Sequence, residues 1–264
     1  MNYQVDRYYK DQMLSIPVRV REKCRIAVKV YNATKPYTTY FDAAPIIEGE
    51  DKIIVKIPKM PKHAVMEIYN EANGNLNFDS SFQVGTIAVD PIKINFSIAS
   101  ISDPTVSSFA TFSDEFAEQA GVLSTQKSIY TSPDGNYTIH YLDVIRDDKG
   151  NELRTPARIN TITGVIEIAK KYYINYTVPG RKAINWHEFS HLWRNVEMAD
   201  EIEADKNAIM IYLATGNPTC EAYNVFLKVY KGTPTKQNVE RYNALDKFIR
   251  NFNQIIVKQL HKAA

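Results

Sequence analysis

Two histidines and a glutamate lie close together in the second half of the chain, within NWHEFSHLWRNVEMADEIEADKNA at residues 185–208. His187 and His191 are four residues apart, so on a helix their imidazoles lie on the same face. Two imidazoles placed in this way can take two corners of a zinc tetrahedron. Glu188 cannot ligate with the same geometry, but it can reach a water on the metal. The HExxH spacing therefore predicts a Zn²⁺ site in a hydrolase, with Glu188 as general base.

A zinc site of this kind needs a third protein ligand, and an acidic segment lies downstream. Glu201 and Asp205 are four residues apart, so they share one face of the next helix. Asp200 can cap this helix and Glu203 can complete the cap, which leaves Glu201 as the better ligand. Asp205 can then accept the outer N–H of a ligand histidine and fix the tautomer of its ring. Glu197, Glu203 and Asp205 remain open as alternative ligands.

The segment between the histidines and the acidic residues must turn sharply if these side chains are to meet. Glu201 follows His191 by ten residues, which along one straight helix is about 15 Å. One metal ion cannot bridge that distance. The chain must therefore fold back between Asn195 and Asp200, although no glycine or proline lies there to enforce a turn.

The two motifs together resemble those of the gluzincin superfamily of zinc peptidases. These enzymes combine HExxH with a downstream ExxxD, often ExxAD followed by xxA, and here residues 201–208 read EIEADKNA. The resemblance implies that the strand near residues 164–169 is the edge that pairs with an extended peptide substrate. It also implies three metal ligands, a general base and a carboxylate behind a ligand, namely His187, His191, Glu201, Glu188 and Asp205.

The gap between the two motifs is much shorter than in thermolysin or the CAAX-processing peptidases. In this respect the chain is similar to small zinc proteases predicted among the virion genes of crAss-like bacteriophages. That similarity implies a zinc metalloendopeptidase carried in a virion. One alternative is a structural or assembly protein of the tail or neck region that retains a zincin fold with little or no proteolysis. Another is a regulatory or toxin-type protease that acts on one protein inside a bacterial cell.

The group that would stabilise a tetrahedral oxyanion is not singled out by the sequence. A peptidase of this kind needs an electrophilic side chain for that purpose. The chain contains 17 tyrosines, so tyrosine hydroxyls are the natural candidates. Those near the motifs are Tyr172, Tyr173, Tyr176, Tyr212 and Tyr223.

The secondary-structure elements that must position the site change from predicted strands to predicted helices along the chain. Short alternating segments such as RIAVKVYN and FQVGTIAV, with turn signals between them, predict a small β-sandwich at residues 25–98. A short helix capped by Ser113 and further strands are predicted next, and helices follow Pro179-Gly180. Strands followed by a helical block predict an α+β fold. The later strand segments are 137–147 and 157–173, and the helices are 113–121, 183–195, 201–215, 219–231 and 236–262.

Composition shifts divide the chain into four predicted parts. These are an N-terminal arm or edge element at residues 1–24, the β-sandwich at 25–98, a linker rich in serine and threonine at 99–112, and a compact zincin-like metallopeptidase domain at 113–264. The sandwich contains no catalytic motif, so we expect it to bind or assemble. In the virion interpretation, its partners are other virion proteins bound through residues 1–98.

Charge and composition exclude several other classes of function. Lys+Arg 32 nearly balances Asp+Glu 30, and a net charge of +2 predicts neither nucleic acid nor a membrane surface as partner. Cys24 and Cys220 form no CxxC pair, so a cysteine zinc site is not expected. The N-terminus lacks the apolar core of a secretory signal, which predicts a cytoplasmic or virion location. The expected substrate is a protein or peptide.

Overall fold

The structure is a computed structural model that describes residues 1–6, 11–74, 79–92, 103–195, 197, 199–231 and 235–262. Strands fill the first third of the chain, and helices dominate the part after residue 170. The chain is therefore a mixed α+β protein, and the predicted fold class is confirmed at this level.

The N-terminal part of the described chain is built from strands. They are β1 (Asn2–Asp6), β2 (Asp11–Val20), β3 (Cys24–Asn32), β4 (Lys35–Ala43), β5 (Ile46–Ile47), β6 (Glu50–Pro58), β7 (His63–Asn70), β8 (Phe82–Val84) and β9 (Ala88–Pro91). One sheet has the order β1-β7-β3-β4, with β5 paired to β3. The other has the order β6-β2-β8, with β9 paired to β2, and the strand pairs of both sheets are antiparallel.

Alternating burial along these strands forms one core between the two sheets. In β6, Ile53, Val55 and Ile57 are buried, while Ile54 and Lys56 face outward. Because side chains alternate between the two faces of a strand, this pattern leaves one face of the sheet apolar. The inward faces of both sheets contribute to one hydrophobic cluster. This arrangement fits the predicted β-sandwich.

The first residues of the chain belong to these sheets. β1 lies at an edge and pairs with β7, which agrees with the edge alternative for residues 1–24. β2 pairs with β6 over its length and also with β8 and β9. The prediction of an arm is therefore wrong for Asp11–Val20, whose alternating buried residues fill the core.

The second part begins with a helix and continues with short strands and a helical block. A four-stranded sheet has the order β10-β11-β15-β14, in which β11 and β15 are parallel and the other neighbours antiparallel. The elements are α1 (Pro104–Gln119), β10 (Ile129–Thr131), β11 (Thr138–Leu142), β12 (Ile145–Arg146), β13 (Glu152–Leu153), β14 (Ala157–Ile159), β15 (Ile166–Ala169), α2 (Lys170–Tyr173), α3 (Val178–Ser190), α4 (Glu201–Ala214), α5 (Thr219–Lys231) and α6 (Lys236–Lys262).

Helix α1 corrects the predicted linker. It begins at Pro104 and is capped by the Asp103 side chain, which accepts a hydrogen bond from the Thr105 N–H. The predicted cap, Ser113, lies inside the helix and is fully buried, where it accepts a hydrogen bond from Asn185. The linker prediction is therefore wrong for the residues from Pro104 to 112. Residues 93–102, which include the end of the predicted sandwich and the first four residues of the predicted linker, lie outside the described residues.

The last three helices agree closely with their predicted spans. Helix α4 begins after Asp200 and ends at Ala214, and α5 and α6 have their predicted bounds. Helix α3 begins and ends five residues earlier than predicted, because Thr177 caps it and Pro179 fits its first turn. Within the part of the chain that the structure describes, none of the helices combines the length and apolar character that a bilayer crossing requires.

The two parts share buried contacts. Ala117 of α1 and Val178 of α3 belong to the hydrophobic cluster of the β-sandwich. The Glu221 side chain of α5 accepts hydrogen bonds from the Asp42 N–H of β4 and from the Thr177 hydroxyl, both at 2.7 Å. Helix α3, which carries the two histidines, and helices α1 and α5 are therefore packed against the sandwich.

Candidate metal centre

Helix α3 presents the two histidines of the HExxH motif on one face. Its close packing against α5 needs a glycine at residue 180, because a Cβ there would lie 2.9 Å from Val225 Cγ2. Seven residues later the helix reaches His187, and it ends at its C-cap residue, His191. The Nε2 atoms of His187 and His191 lie 3.2 Å apart. The four-residue spacing therefore brings both imidazoles to one point, as predicted.

The chain folds back directly after His191, as the third ligand requires. The turn contains Arg194 in the left-handed region, at φ 57°. The Asn195 side chain donates to the Asp200 C=O at 3.1 Å. Asp200 then caps α4 by accepting hydrogen bonds from the N–H groups of residues 202 and 203. The chain reverses between the end of α3 at Ser190 and Asp200, so the reversal begins before the predicted turn at Asn195 and includes a non-glycine residue with positive φ, Arg194.

Glu201, the first residue of α4, completes a group of three side chains that could hold a metal ion. Its Oε2 lies 3.4 Å from His187 Nε2, and its Oε1 lies 3.8 Å from His191 Nε2. Tetrahedral Zn²⁺ with bonds of about 2.0–2.2 Å holds neighbouring ligand atoms about 3.3–3.5 Å apart. The His187–His191 and His187–Glu201 separations, 3.2 and 3.4 Å, are close to that spacing, while the 3.8 Å separation from His191 is to the other oxygen of the Glu201 carboxylate.

The other acidic candidates lie elsewhere around the site. Among the described residues, no group with Glu197 or Glu203 meets the geometry of a metal site. Glu197 is exposed, and the Glu203 N–H is held by the Asp200 cap. Asp205 lies behind the first histidine, with its Oδ1 2.9 Å from His187 Nδ1. This is the position predicted for a carboxylate that orients a ligand ring.

Arg241 of α6 connects the two carboxylates. Its Nε and Nη2 atoms donate to the two oxygens of Asp205 at 2.8 and 2.9 Å. Its Nη1 lies 2.9 Å from Glu201 Oε2. Such a two-pronged arginine–carboxylate pair fixes the orientation of both groups. Arg241 thus holds the candidate third ligand and the carboxylate behind His187 in one network.

Sequence reasoning missed Arg241, although its position carried a signal. Arg241 precedes Leu245 by four residues and Phe248 by seven, so it lies in line with the apolar face of α6. A charge in such a row needs a buried partner of opposite charge. The partner could not be named from the pattern, because Asp205 is 36 positions earlier in the chain.

Glu188 lies beside the three candidate ligands and lines the same cleft. Only 7% of it is exposed, and it accepts a hydrogen bond from the Ile159 N–H. Burial raises its pKa to about 7, against the opposing effect of the His187 charge. A carboxyl with a pKa near neutrality can both accept and return a proton at physiological pH.

The charges of the other site groups reinforce one another. Burial alone would lower the pKa of His187, but the carboxylates of Asp205 and Glu201 raise it to about 10. Burial alone would raise the pKa of Asp205, but contact with His187 and Arg241 lowers it to about 2. The pKa of Glu201 is also lowered, despite its burial, by His187 and Arg241. The site therefore keeps both carboxylates ionised, which suits a cation.

The cleft at the site has a volume of about 490 Å³ and lies between α3 and strand β14. One wall is apolar and is formed by Ile184, Val225, Phe226 and Val229. The opposite side includes Ala157, Arg158 and Ile159 of β14. A larger cavity of about 870 Å³ lies at the junction of the two parts of the chain, and none of the five predicted site residues lines it.

Strand β14, and not the strand at 164–169, is the edge of the sheet next to the site. The Asn160 N–H bonds to Val165 and the Pro156 C=O accepts from Ala169, so alternate backbone groups of β14 face β15. The backbone N–H and C=O groups of Ala157 and Ile159 consequently point away from β15, toward the open side of the sheet. Strand β15 is paired on both sides, with β11 and β14, and the expectation that it forms the edge is wrong.

The tyrosines considered for an oxyanion are not among the residues that line the cleft. Tyr173 is buried and donates to Asn185, and Tyr212 is buried and donates to the Pro218 C=O. Tyr172 donates to Glu152, and Tyr223 donates to Asp246. Tyr176 lines the larger cavity at the junction.

Comparisons with known proteins name no family for this chain. No family model matches it, and no curated protein matches it. Among solved structures, it is similar to one titled "CBM4 structure and function", with 11% sequence identity and a TM-score of 0.24. The match covers 31% of this chain and 63% of that chain, so this chain spans less than two thirds of that structure. A likeness at this level carries no argument about fold or function.

Proposed function

We propose that this chain is a zinc-dependent peptidase of the gluzincin type, with His187, His191 and Glu201 as the metal ligands. The observation that carries the proposal is the convergence of their ligand atoms from two helices, at 3.2, 3.4 and 3.8 Å. When bound in such a site, Zn²⁺ acts as a Lewis acid that lowers the pKa of water and polarises a carbonyl group. We infer that the chain from α1 onward forms a zincin-like domain around this site, which moves the predicted start at residue 113 back to Pro104.

Glu188 is the general base of the proposed reaction. It takes a proton from a water molecule as the water oxygen bonds to the peptide carbonyl carbon. The same carboxyl returns that proton to the amide nitrogen as the carbon–nitrogen bond breaks, so a carboxylic acid and an amine leave. The pKa of about 7, raised by burial, supports both halves of this proton transfer.

Asp205 and Arg241 position the ligands of the proposed site. Asp205 Oδ1 faces His187 Nδ1 at 2.9 Å, which directs the other ring nitrogen, Nε2, toward Glu201 and His191. Arg241 balances the charge of Asp205 and Glu201 and keeps both in place. The carboxylates favour the protonated ring, so a metal must displace one proton from His187; Asp205 then keeps the remaining proton on Nδ1 and leaves Nε2 as the ligand atom.

The substrate of the proposed peptidase is an extended peptide segment paired with β14. Two outward-facing backbone groups of β14, the Ala157 N–H and the Ile159 C=O, lie at the rim of the cleft that contains Glu188. The Ile159 N–H donates to Glu188, and the Ala157 C=O accepts from the Thr155 hydroxyl. Addition of a strand to a free sheet edge is a common way to bind peptides, because main-chain hydrogen bonds do not depend on sequence. The side chains of the peptide then alternate between the apolar wall of the cleft and solvent.

Metal analysis and peptide cleavage test this function together. Purified wild type and Glu188→Gln are expected to retain about one zinc per chain, because Glu188 is not a ligand. Cleavage of a proteome-derived peptide library should fall by about 10²–10⁴ in Glu188→Gln. Glu203→Gln is the matched control and should keep both zinc and activity.

Two outcomes would overturn the proposal. A wild type that takes up no zinc would exclude the metal site. A wild type that holds zinc but cleaves no peptide would exclude the peptidase and favour the alternative of an assembly protein in which the metal is structural. The virion partners bound through residues 1–98 stay a prediction, which co-purification of the full chain with virion proteins would test.

A further inference from the structure

A second, smaller cavity lies next to the cleft, on the other side of Ile159. We call it the distal pocket. Its volume is about 180 Å³, well below the roughly 300–1,000 Å³ of a site for a whole small molecule. The distal pocket therefore has room for one large side chain. Its lining includes Thr105, Tyr137, Ile159, Phe189, Leu192 and Trp193.

The floor of the distal pocket is a cluster of packed aromatic rings. Phe109 stacks on Phe189 with ring centroids 4.3 Å apart, and Phe189 stacks on Trp193 at 6.1 Å. Tyr137 meets Phe109 edge-on at 5.2 Å and donates its hydroxyl to the Thr105 C=O. Such a floor is rigid and apolar, and aromatic rings favour stacked or edge-on contact with a further ring.

Exposed apolar side chains surround the mouth of the distal pocket. Leu192 is 43% exposed and Ile162, at the tip between β14 and β15, is 94% exposed. The two segments are neighbours, because a Cβ at Gly164 would lie 3.4 Å from Leu192 Cδ1. Single exposed apolar residues are ordinary, but apolar residues grouped around a cavity mark a binding surface.

The distal pocket is continuous with the cleft along the edge strand. Ile159 lines both cavities, and Ala157, two residues earlier on β14, lines the cleft. Strands advance about 3.3 Å per residue, so a peptide paired with β14 passes from one cavity to the other within about three residues.

The two apolar regions lie on opposite sides of the metal ligands. Ile184, in the wall of the cleft, precedes His187 on α3, whereas Leu192 and Trp193 follow His191. Ile184 therefore lies almost two turns before the end of α3 and Leu192 lies just after it, with His187 and His191 between them in the chain.

We propose that the distal pocket is a second specificity site for the substrate, which takes one bulky apolar or aromatic side chain. This inference rests on the proposed peptidase function. The side chain belongs to a residue two to four positions from the scissile bond, on the side opposite to the residue that meets the Ile184 wall. Thr105, at the start of α1, and Leu192, directly after the second histidine, set the size of the residue that is accepted.

Cleavage-site profiling with a blocked pocket tests the proposal. Thr105 is exposed at the mouth, so Thr105→Phe fills the distal pocket without entering the core. Ser107→Phe, at an exposed position on the same helix outside the pocket lining, is the control. Wild type and Ser107→Phe should cut a proteome-derived peptide library with enrichment of Phe, Tyr, Trp, Leu or Met at one position on one side. In Thr105→Phe, kcat/KM for such peptides should fall at least 10-fold.

A binding measurement separates failure of this proposal from failure of the peptidase function. The probe is N-acetyl-4-bromophenylalanine amide, whose bromine quenches a nearby tryptophan, and Trp193 lines the pocket. Quenching in wild type and Ser107→Phe but not in Thr105→Phe supports the pocket even if no peptide is cleaved. Equal quenching in all three proteins, or the same cleavage preferences in all three, would overturn it.

Discussion

Arg241 places a fixed positive charge between two carboxylates of the candidate site. A charge buried in this way is stable only if it is paired and hydrogen-bonded, and here three contacts of 2.8–2.9 Å satisfy it. In return, Arg241 limits the rotation of Glu201 and Asp205. The orientation of His187 therefore depends on a residue of α6 that acts through Asp205 and Glu201.

Replacement of Arg241 by lysine should weaken zinc binding without removing the charge. The ammonium group cannot hold both oxygens of Asp205 and also reach Glu201, because it lacks the planar fork of arginine. We expect zinc affinity to fall about 10- to 100-fold, as for loss of other groups that orient metal ligands. Competition with a fluorescent chelator measures the change. Arg250→Lys is the control, since Arg250 pairs with Asp246 on the exposed side of the same helix. Equal zinc affinities in the two variants would contradict the role of Arg241.

The residues of the candidate site differ in how far the sequence could predict them. His187, Glu188 and His191 were predictable because a helix alone fixes their relation. Glu201 needed a turn that the sequence did not mark, and the connection between α3 and α4 contains Arg194 in the left-handed region. The tertiary partner of Arg241 was beyond any local pattern, since only the packing of α6 against α4 brings Arg241 to Asp205.

At the scale of elements, the turn between α3 and α4 determines whether the site can assemble. Arg194 adopts φ 57°, a region that costs most residues roughly 1 kcal/mol or more. Its guanidinium lies over the ring of Trp193, 5.0 Å from the ring centroid, in a cation–π contact. The chain thus keeps a strained residue at the point where the second helix must return toward the histidines.

Two substitutions at this turn separate backbone strain from the side-chain contact. Arg194→Gly and Arg194→Val both remove the guanidinium from Trp193, but only glycine accepts the left-handed backbone without strain. The valine variant should be less stable than the glycine variant by about 1–2 kcal/mol. Urea denaturation measures the difference. If the two variants had the same stability, strain at Arg194 would not govern the turn.

Glu221 joins three elements through one buried carboxyl group. It accepts from the Asp42 N–H of β4 and from Thr177, the N-cap residue of α3, while it belongs to α5. Only 2% of it is exposed, and burial raises its pKa to about 7. The folded protein therefore holds a proton on Glu221 at a pH where the unfolded chain has already lost it.

The raised pKa of Glu221 predicts how stability changes with pH. An unfolded glutamate ionises near pH 4.5, whereas Glu221 in the folded protein ionises near pH 7. The contribution of Glu221 to the free energy of unfolding is thus fully present below pH 4.5 and is lost as the pH rises to about 7. Glu221→Gln cannot ionise, so its stability relative to wild type should increase by about 1–3 kcal/mol across this window. Urea denaturation at pH 4.5 and pH 8 measures this; a pH-independent difference between the two proteins would contradict it.

The elements themselves were predictable where local signals were strong. Asp200 before α4 and the proline and glycine residues between the later helices marked bounds that the structure keeps. Helix α1 was missed in part, because its first half is rich in serine and threonine, which are typical of loops. The edge strand was misplaced because β14 has three residues, too few to show the period of a strand.

At the scale of the whole molecule, the β-sandwich and the helical part share buried surface. Ala117 and Val178 complete the sandwich core from α1 and α3, and Glu221 and Asn224 of α5 bond to the backbone of Asp42. Loss of the sandwich would expose these groups on α3, which carries two candidate metal ligands, and on α1 and α5, which pack against α3. We therefore expect the two parts to unfold as one cooperative unit.

A core substitution in the sandwich, far in sequence from the candidate site, tests this coupling. Val55→Ala removes two methyl groups from a fully buried side chain of β6, which should cost about 2 kcal/mol. Trp186 and Trp193 are the two tryptophans of the chain, and both lie in the second part, so their fluorescence reports that part alone.

If the two parts unfold together, the midpoint of the fluorescence transition in urea should fall as far as the midpoint followed by circular dichroism. Val239→Ala, at an exposed position of α6, is the control. It should change the free energy of unfolding by less than about 0.5 kcal/mol, so both midpoints should stay almost unchanged. A fluorescence midpoint that stays in place while the β signal is lost earlier would show that the sandwich unfolds on its own. In that case the candidate site would depend only on its own helices, and the contacts of Glu221 would not transmit stability between the two parts.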